Sequence, residues 1–212
     1  MEKNFWLDKW KVRDIGFHAS VVHPLLAKYL PELSLPSGSR VFLPLCGKTR
    51  DIHWLLSQGL RVVGIELSEI AVKELFEELE VEPKISSVGA LKLYQTKDLD
   101  VFVGDFFELT PEFLGSVDAV YDRAAIVALP LPLRERYSAH LVGLTHSSPQ
   151  LLITFDYDQT KMEGPPFSVT DEEVRRHYSG QFVITLLESA TVEGGLKGRV
   201  SAREKIWLLR KR

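Results

Sequence analysis

The segment RVFLPLCGKTRDIHWLLSQGLRVVGIELSE, residues 40 to 69, carries the residues best suited to chemistry. An apolar run ends in a turn that holds one glycine, Gly47, and a carboxylate, Glu66, follows nineteen positions later at the end of a second apolar run. A strand-to-helix turn presents free backbone N–H groups, and a pyrophosphate bound there needs the G-x-G-x-x-G pattern so that the backbone can come close. Leu43 to Lys48 supplies only one of those glycines. A carboxylate about twenty residues beyond such a turn is placed to accept from both hydroxyls of a ribose. Together the two features point to an adenosine ligand without phosphates, a description that S-adenosylmethionine fits.

The other reactive side chains offer less. Cys46 is the single cysteine, which excludes an internal disulfide and a Cys-based zinc cage. No histidine lies near it in sequence to activate it, so a small buried residue is expected there. The six histidines, at 18, 23, 53, 140, 146 and 177, show no metal-ligand spacing, and no metal site is expected. Lys48 is expected to cover a helix surface. With 212 residues, a net charge of -3 and a pI near 6.1, the chain has no electrostatic reason to bind a nucleic acid. A small neutral or anionic partner is expected instead. No apolar run reaches the roughly 20 residues of a membrane helix, and MEKNFWLDKW lacks the apolar core of a signal peptide, so a soluble, cytoplasmic protein without membrane contact is expected.

The elements that must position these residues alternate in type. VVHPLLAKYL has one helical stripe, at 21, 22, 25, 26, 29 and 30, with Pro24 near its first turn. RVFL reads as a short buried strand, DIHWLLSQ as a helix stopped by Gly59, and RVVGIE as a second buried strand. Ser68 can cap the helix EIAVKELFEELE. Residues 91 to 95 and 99 to 103 alternate about Lys97-Asp98, as in a hairpin or an added strand. VDAVYD and QLLITFDY are strands around the helix LRERYSAHLVGL; Thr170 and Glu173 form a capping box before EVRRHY; QFVITLLES and AREKIWLLR close the chain as a strand pair. Alternation of this kind predicts an α/β, Rossmann-like sandwich with an antiparallel end.

Six segments, FWLDKW, GFH, VFLPLCGK, VVGIELSE, YDRAAIVAL and YDQTKMEGPPF, occur in this order across nearly the whole chain. With them the sequence resembles the thiopurine S-methyltransferases, a family of class I S-adenosylmethionine-dependent methyltransferases, and its compact N-terminus is similar to the bacterial branch. The resemblance implies a single methyltransferase domain over 1–212, with residues 1–35 as a helical segment covering the active site and 36–212 as the core. It implies a mostly parallel sheet of seven strands, possible extra strands, an antiparallel C-terminal strand and helices on both faces. The implied cofactor is S-adenosyl-L-methionine, contacted by Trp10, Leu45, Glu66 and Arg123, with Trp6 as a neighbouring aromatic. Trp6 and Trp10 lie outside the sheet, and are expected to gain burial only by closing over a ligand.

Asp105 and Phe106, after a third strand, stand where similar methyltransferases receive adenine. Arg123 suits either the methionine carboxylate or an acceptor heteroatom, because its planar fork serves both; a local pair with Asp122 is the plain alternative. Phe17 matches an aromatic beside the acceptor, and Gly164 to Phe167, with Pro166 and Phe167, resembles the acceptor pocket's wall. Lys197 and Arg199 lie in a region too loosely similar to assign. The implied acceptors are thiopurines and aromatic or heterocyclic thiols, with selenium or tellurium compounds as a physiological alternative and a small-molecule thiol as the partner of a monomer. A thiol acidic enough to arrive as thiolate needs no strong base, in keeping with the absence of a recognisable catalytic dyad. A nicotinamide-dependent oxidoreductase and a non-catalytic cofactor-binding protein are the rival readings.

Overall fold

A computed structural model describes residues 3–16 and 18–212. The chain divides into two compact units, Met1–Ala119 and Val120–Arg212. In the first, the helices α1 (Lys3–Lys11) and α2 (Pro24–Tyr29) precede β1 (Arg40–Pro44), α3 (Arg50–Ser57), β2 (Arg61–Glu66), α4 (Glu69–Glu78), β3 (Lys84–Val88), β4 (Leu91–Gln95), β5 (Leu99–Val103) and a short α5 (Pro111–Leu114). The strand order is β3-β4-β5-β2-β1. Strands β1, β2 and β5 are parallel, with Pro44 opposite Ile65 and Glu66 opposite Val103. That register brings the carboxyl ends of all three to one edge of the sheet, where ligands bind in open α/β sheets.

Local signals fix the helices that hold this edge in place. Thr49 Oγ1 accepts from the Asp51 N–H at 3.3 Å at the start of α3, and Ser68 Oγ accepts from Ala71 at 3.5 Å at the start of α4. Ile52 and Leu55 of α3, and Ala71, Val72 and Leu75 of α4, lose all their exposure. Each large side chain buried in this way contributes about 1.5–3 kcal/mol before conformational entropy is deducted. Helix α2 starts at Pro24 rather than at Val21, because proline lacks an N–H and its fixed φ suits the first helical position. His23 caps it through Nδ1, at 3.3 Å from the Leu25 nitrogen, and Val21 is left 68% exposed. Strand β3, KISSV, carried no signal, since its side chains are almost all exposed; it is held by antiparallel pairing with β4.

The second unit contains β6 (Ala119–Asp122, entered from the end of the first unit), α6 (Leu131–Leu144), β7 (Gln150–Tyr157), α7 (Asp171–Tyr178), β8 (Phe182–Thr191) and β9 (Ala202–Lys211). Its order is β6-β7-β9-β8, with β6 parallel to β7 and the last two pairings antiparallel. The expected antiparallel end is present, and β3 and β4 are the additional strands. The capping box of α7 is half formed. Thr170 Oγ1 accepts from the Glu173 N–H at 3.3 Å, but the Glu173 carboxylate turns to Arg134, at 2.6 and 3.1 Å, and to His177 at 3.1 Å. A buried guanidinium outcompetes the exposed end of a helix for that carboxylate. Among the described residues no helix is long and apolar enough to cross a membrane, and no cluster of three or more His, Cys, Asp or Glu could hold a metal.

Candidate active site

The turn after β1 and the end of β2 form one unit of structure. Gly47 donates its N–H to Glu66 Oε2 at 2.9 Å, Ser68 donates to Oε1 at 2.8 Å, and the Cys46 N–H donates to the Ile65 carbonyl at 3.0 Å. Glu66 is 6% exposed; burial pushes its carboxyl up, opposed by the N–H groups of Ser68, Gly47 and Leu67. Each carboxylate oxygen carries two lone pairs, so the backbone donors do not use up the acceptor capacity of the group. A ribose hydroxyl matches that remainder. Leu45 adopts a left-handed φ of 48° and Gly47 one of 53°. A Cβ on Gly47 would also lie 3.2 Å from the Trp10 ring, so a side chain there would be strained and crowded together.

Trp10 corrects the expectation made for it. It is already 4% exposed, packed on the Gly47 turn, because α1 seats its ring against the one residue without a side chain. Trp6, four residues earlier, is half-buried and packs edge-on against Phe5 at 5.2 Å. Phe17 lies outside the described residues. Cys46 is structural: its sulfur stands 2.7 Å from where a Cβ on Gly64 would be, and burial, then the charge of Glu66, pushes its thiol well up. Lys48 is no loose surface cover, since its Nζ lies 2.7 Å from Glu78 and 2.8 Å from Glu74, both on α4. The Gly104 N–H donates to the backbone carbonyl of Glu66 at 2.9 Å, which brings the loop after β5 to the same edge. There Asp105 Oδ1 accepts from Phe107 at 3.1 Å, capping a short 3-10 turn whose first residue, Phe106, is buried.

In the second unit, Asp122 and Arg123 part company. Asp122 is fully buried, accepting from the Tyr137 hydroxyl at 2.7 Å and from the N–H groups of Ala125 and Ile126 at 3.1 and 3.3 Å. It folds the chain back directly after Arg123. Arg123 itself is half-buried and makes no ion pair or hydrogen bond among the described residues, so the local pair with Asp122 does not form. The Gly164–Phe167 loop is held at several points. Tyr157 donates to the Pro166 carbonyl at 2.7 Å, Lys197 to Pro165 at 2.7 Å, and the Phe167 N–H to Val127 at 2.6 Å. The guanidinium of Arg134 lies 5.7 Å from the Phe167 ring centre, a cation–π contact. Arg199 is exposed.

The sequence profile of the thiopurine S-methyltransferases matches residues 1–212. The chain belongs to this family. Similar proteins include a thiopurine S-methyltransferase of Xanthobacter autotrophicus, 52% identical over 210 residues and covering 99% of each chain. Another, from Pseudomonas fluorescens, is 44% identical over 194 residues, 92% of this chain and 89% of its own. Among solved structures, a magnesium protoporphyrin IX methyltransferase of Synechocystis with bound S-adenosylhomocysteine shares the fold, with a TM-score of 0.67 at 16% identity over 99% of this chain and 100% of its own. An S-adenosylmethionine-dependent methyltransferase of Anabaena variabilis gives 0.64 at 16% identity, over 99% and 95%. For a member of this family the cofactor is S-adenosylmethionine. Sequence reasoning missed Tyr157, Gln159 and the Arg134–Glu173 pair as supports of the 164–167 loop. Only the Tyr in YDQTK, ending a strand just before the proline pair, hinted at them.

Proposed function

We propose that this chain transfers the methyl group of S-adenosylmethionine to the sulfur of thiopurines and of aromatic or heterocyclic thiols. The observation that carries this reading is Glu66, buried at the end of β2 with both oxygens held by backbone N–H groups and acceptor capacity left for a ribose hydroxyl. When bound, the cofactor would supply an electrophilic methyl carbon on a sulfonium, open to in-line attack by a thiolate with S-adenosylhomocysteine as the leaving group. The chain's own task is to bind and orient. Glu66 takes the ribose; the left-handed Leu45 presents backbone; Trp10 backs the Gly47 turn that borders the cofactor; Asp105 and Phe106 receive the adenine. Arg123, with no carboxylate of the protein to neutralise it among the described residues, takes the methionine carboxylate or lies beside the acceptor heteroatom. Pro166 and Phe167 line the acceptor side, and the chain acts as a single, monomeric, cytoplasmic methyltransferase domain.

No side chain is needed to remove a proton. Asp122, the nearest acid to Arg123 in sequence, is wholly committed to Tyr137, Ala125 and Ile126. Calorimetric titration with S-adenosylhomocysteine and with NAD tests the assignment, followed by methyl transfer to a panel of thiols. Binding of S-adenosylhomocysteine alone, with label appearing on thiol sulfur, is expected. Heat with NAD alone would point to a dinucleotide enzyme, and binding without transfer to any thiol to a non-catalytic protein.

A further inference from the structure

We propose that Tyr157 is a specificity-determining positioning residue, which sets the shape of the acceptor wall by clamping the 164–167 loop from behind. The inference rests on the reading, given above, that this loop lines the acceptor. Tyr157 ends β7 and stands between the two limbs of the loop. Its hydroxyl donates to the Pro166 carbonyl at 2.7 Å and accepts from Gln159 Nε2 at 2.9 Å, so both capacities of the phenol are used inside the protein. Its backbone N–H donates to Ser168 Oγ at 3.0 Å, just past the loop. Gln159 closes the circuit: the same amide nitrogen reaches the Met162 carbonyl at 2.5 Å, and its oxygen accepts from the Ser168 N–H at 2.8 Å.

The support extends to the connection between β8 and β9. The ring of Tyr157 packs with Met162, Leu196, Val200 and Ala202 in a small apolar cluster separate from the sheet core. From that connection Lys197, at a left-handed φ of 54°, reaches the Pro165 carbonyl at 2.7 Å. A lysine in a backbone region that favours glycine is tolerated where its side chain has a task. The loop residues Gly164 to Phe167 remain half-buried. The contacts of the apparatus are to backbone carbonyls of the loop, which leaves its side chains free of the clamp. A wall fixed at consecutive carbonyls discriminates by shape, and a larger planar acceptor touches more of it.

The test compares a monocyclic aromatic thiol with a purine thiol. In Tyr157→Phe, which keeps the ring and its packing, KM for the purine thiol is expected to rise about fivefold more than KM for the monocyclic one, because the Pro166 carbonyl and the Gln159 amide lose their partner. The Kd of S-adenosylhomocysteine should stay within about twofold. Lys197→Met, at an exposed position, should move the KM ratio in the same direction and serves as the reading if Tyr157→Phe fails to fold. Phe167→Ala reports on the wall itself. If Phe167→Ala shifts the ratio while Tyr157→Phe and Lys197→Met do not, the wall stands and the clamp is refuted. If none of the three shifts it, the assignment of the wall falls and the clamp with it. A loss of S-adenosylhomocysteine affinity in Tyr157→Phe equal to the rise in KM would make Tyr157 a general structural residue and also refute the proposal.

Discussion

Glu66→Ala is expected to weaken S-adenosylhomocysteine binding by about 1–3 kcal/mol, a loss of roughly five- to hundredfold in affinity, as charge-assisted hydrogen bonds to the ribose disappear. The size follows from the geometry. In the folded protein the carboxylate is already buried and aligned by Gly47 and Ser68, so its desolvation and orientation are met before the ligand arrives. Truncation also leaves two backbone N–H groups without their acceptor, and some loss of stability accompanies the loss of affinity. A thermal melt confirming the fold must therefore accompany the titration. Unchanged affinity in a folded variant would remove Glu66 from the cofactor site.

The second large effect concerns stability and pH. Burial pushes Asp122 up from 3.8 to about 6, against the lowering by the Tyr137 hydroxyl and the N–H groups of Ile126 and Ala125. A carboxyl whose folded pKa exceeds its unfolded value holds its proton longer in the native state, so it contributes most below about pH 4 and loses that contribution as pH rises through about 6. At about 1.4 kcal/mol per pH unit, this group alone costs the parent about 2 kcal/mol between pH 4.5 and 7.5. The groups facing it are the hydroxyls of Tyr137 and Tyr178, both held neutral well above their ordinary range by burial and by Asp122 itself. Asp122→Asn keeps an acceptor for the two N–H groups and abolishes the titration. Urea unfolding should show the variant gaining about 2 kcal/mol relative to the parent over that interval. A constant difference between the two proteins at all pH values would mean that Asp122 ionises as an ordinary carboxylate.

What the sequence disclosed and what it withheld divide along physical lines. Strands β1, β2 and β7 were legible to within a residue because continuous apolar runs bounded by Gly, Ser or Asp have few other uses. The place of Glu66 at the end of β2, against the Gly47 turn, was legible because the apolar run before it stops there. Strand β3 was not, since KISSV owes its conformation to a neighbour across the sheet rather than to its own pattern. The half-formed capping box shows the same limit from the other side: Thr170 acted locally as its type predicts, whereas Glu173 answered Arg134, 39 residues away. Trp10 was misjudged because nothing in a helical segment says that the residue it will pack against is a glycine. The clamp on the 164–167 loop joins residues from 157 to 197, a juxtaposition that only the folded chain displays.

The most direct test of thiolate capture without an enzymic base is a set of pH profiles of kcat/KM for three thiols of differing acidity. If the acceptor binds as a preformed thiolate, the rise in each profile should follow that thiol's own pKa. More acidic thiols should rise at lower pH and reach modestly lower plateaus, because a less basic thiolate is a weaker nucleophile. Arg123→Lys should lower the height of each rise and leave its position nearly unchanged, since the charge is kept and the planar fork is lost. One apparent pKa common to all three thiols would contradict this mechanism. It would show that a residue of the protein governs proton removal, with Asp105 and His18 as the first groups to replace.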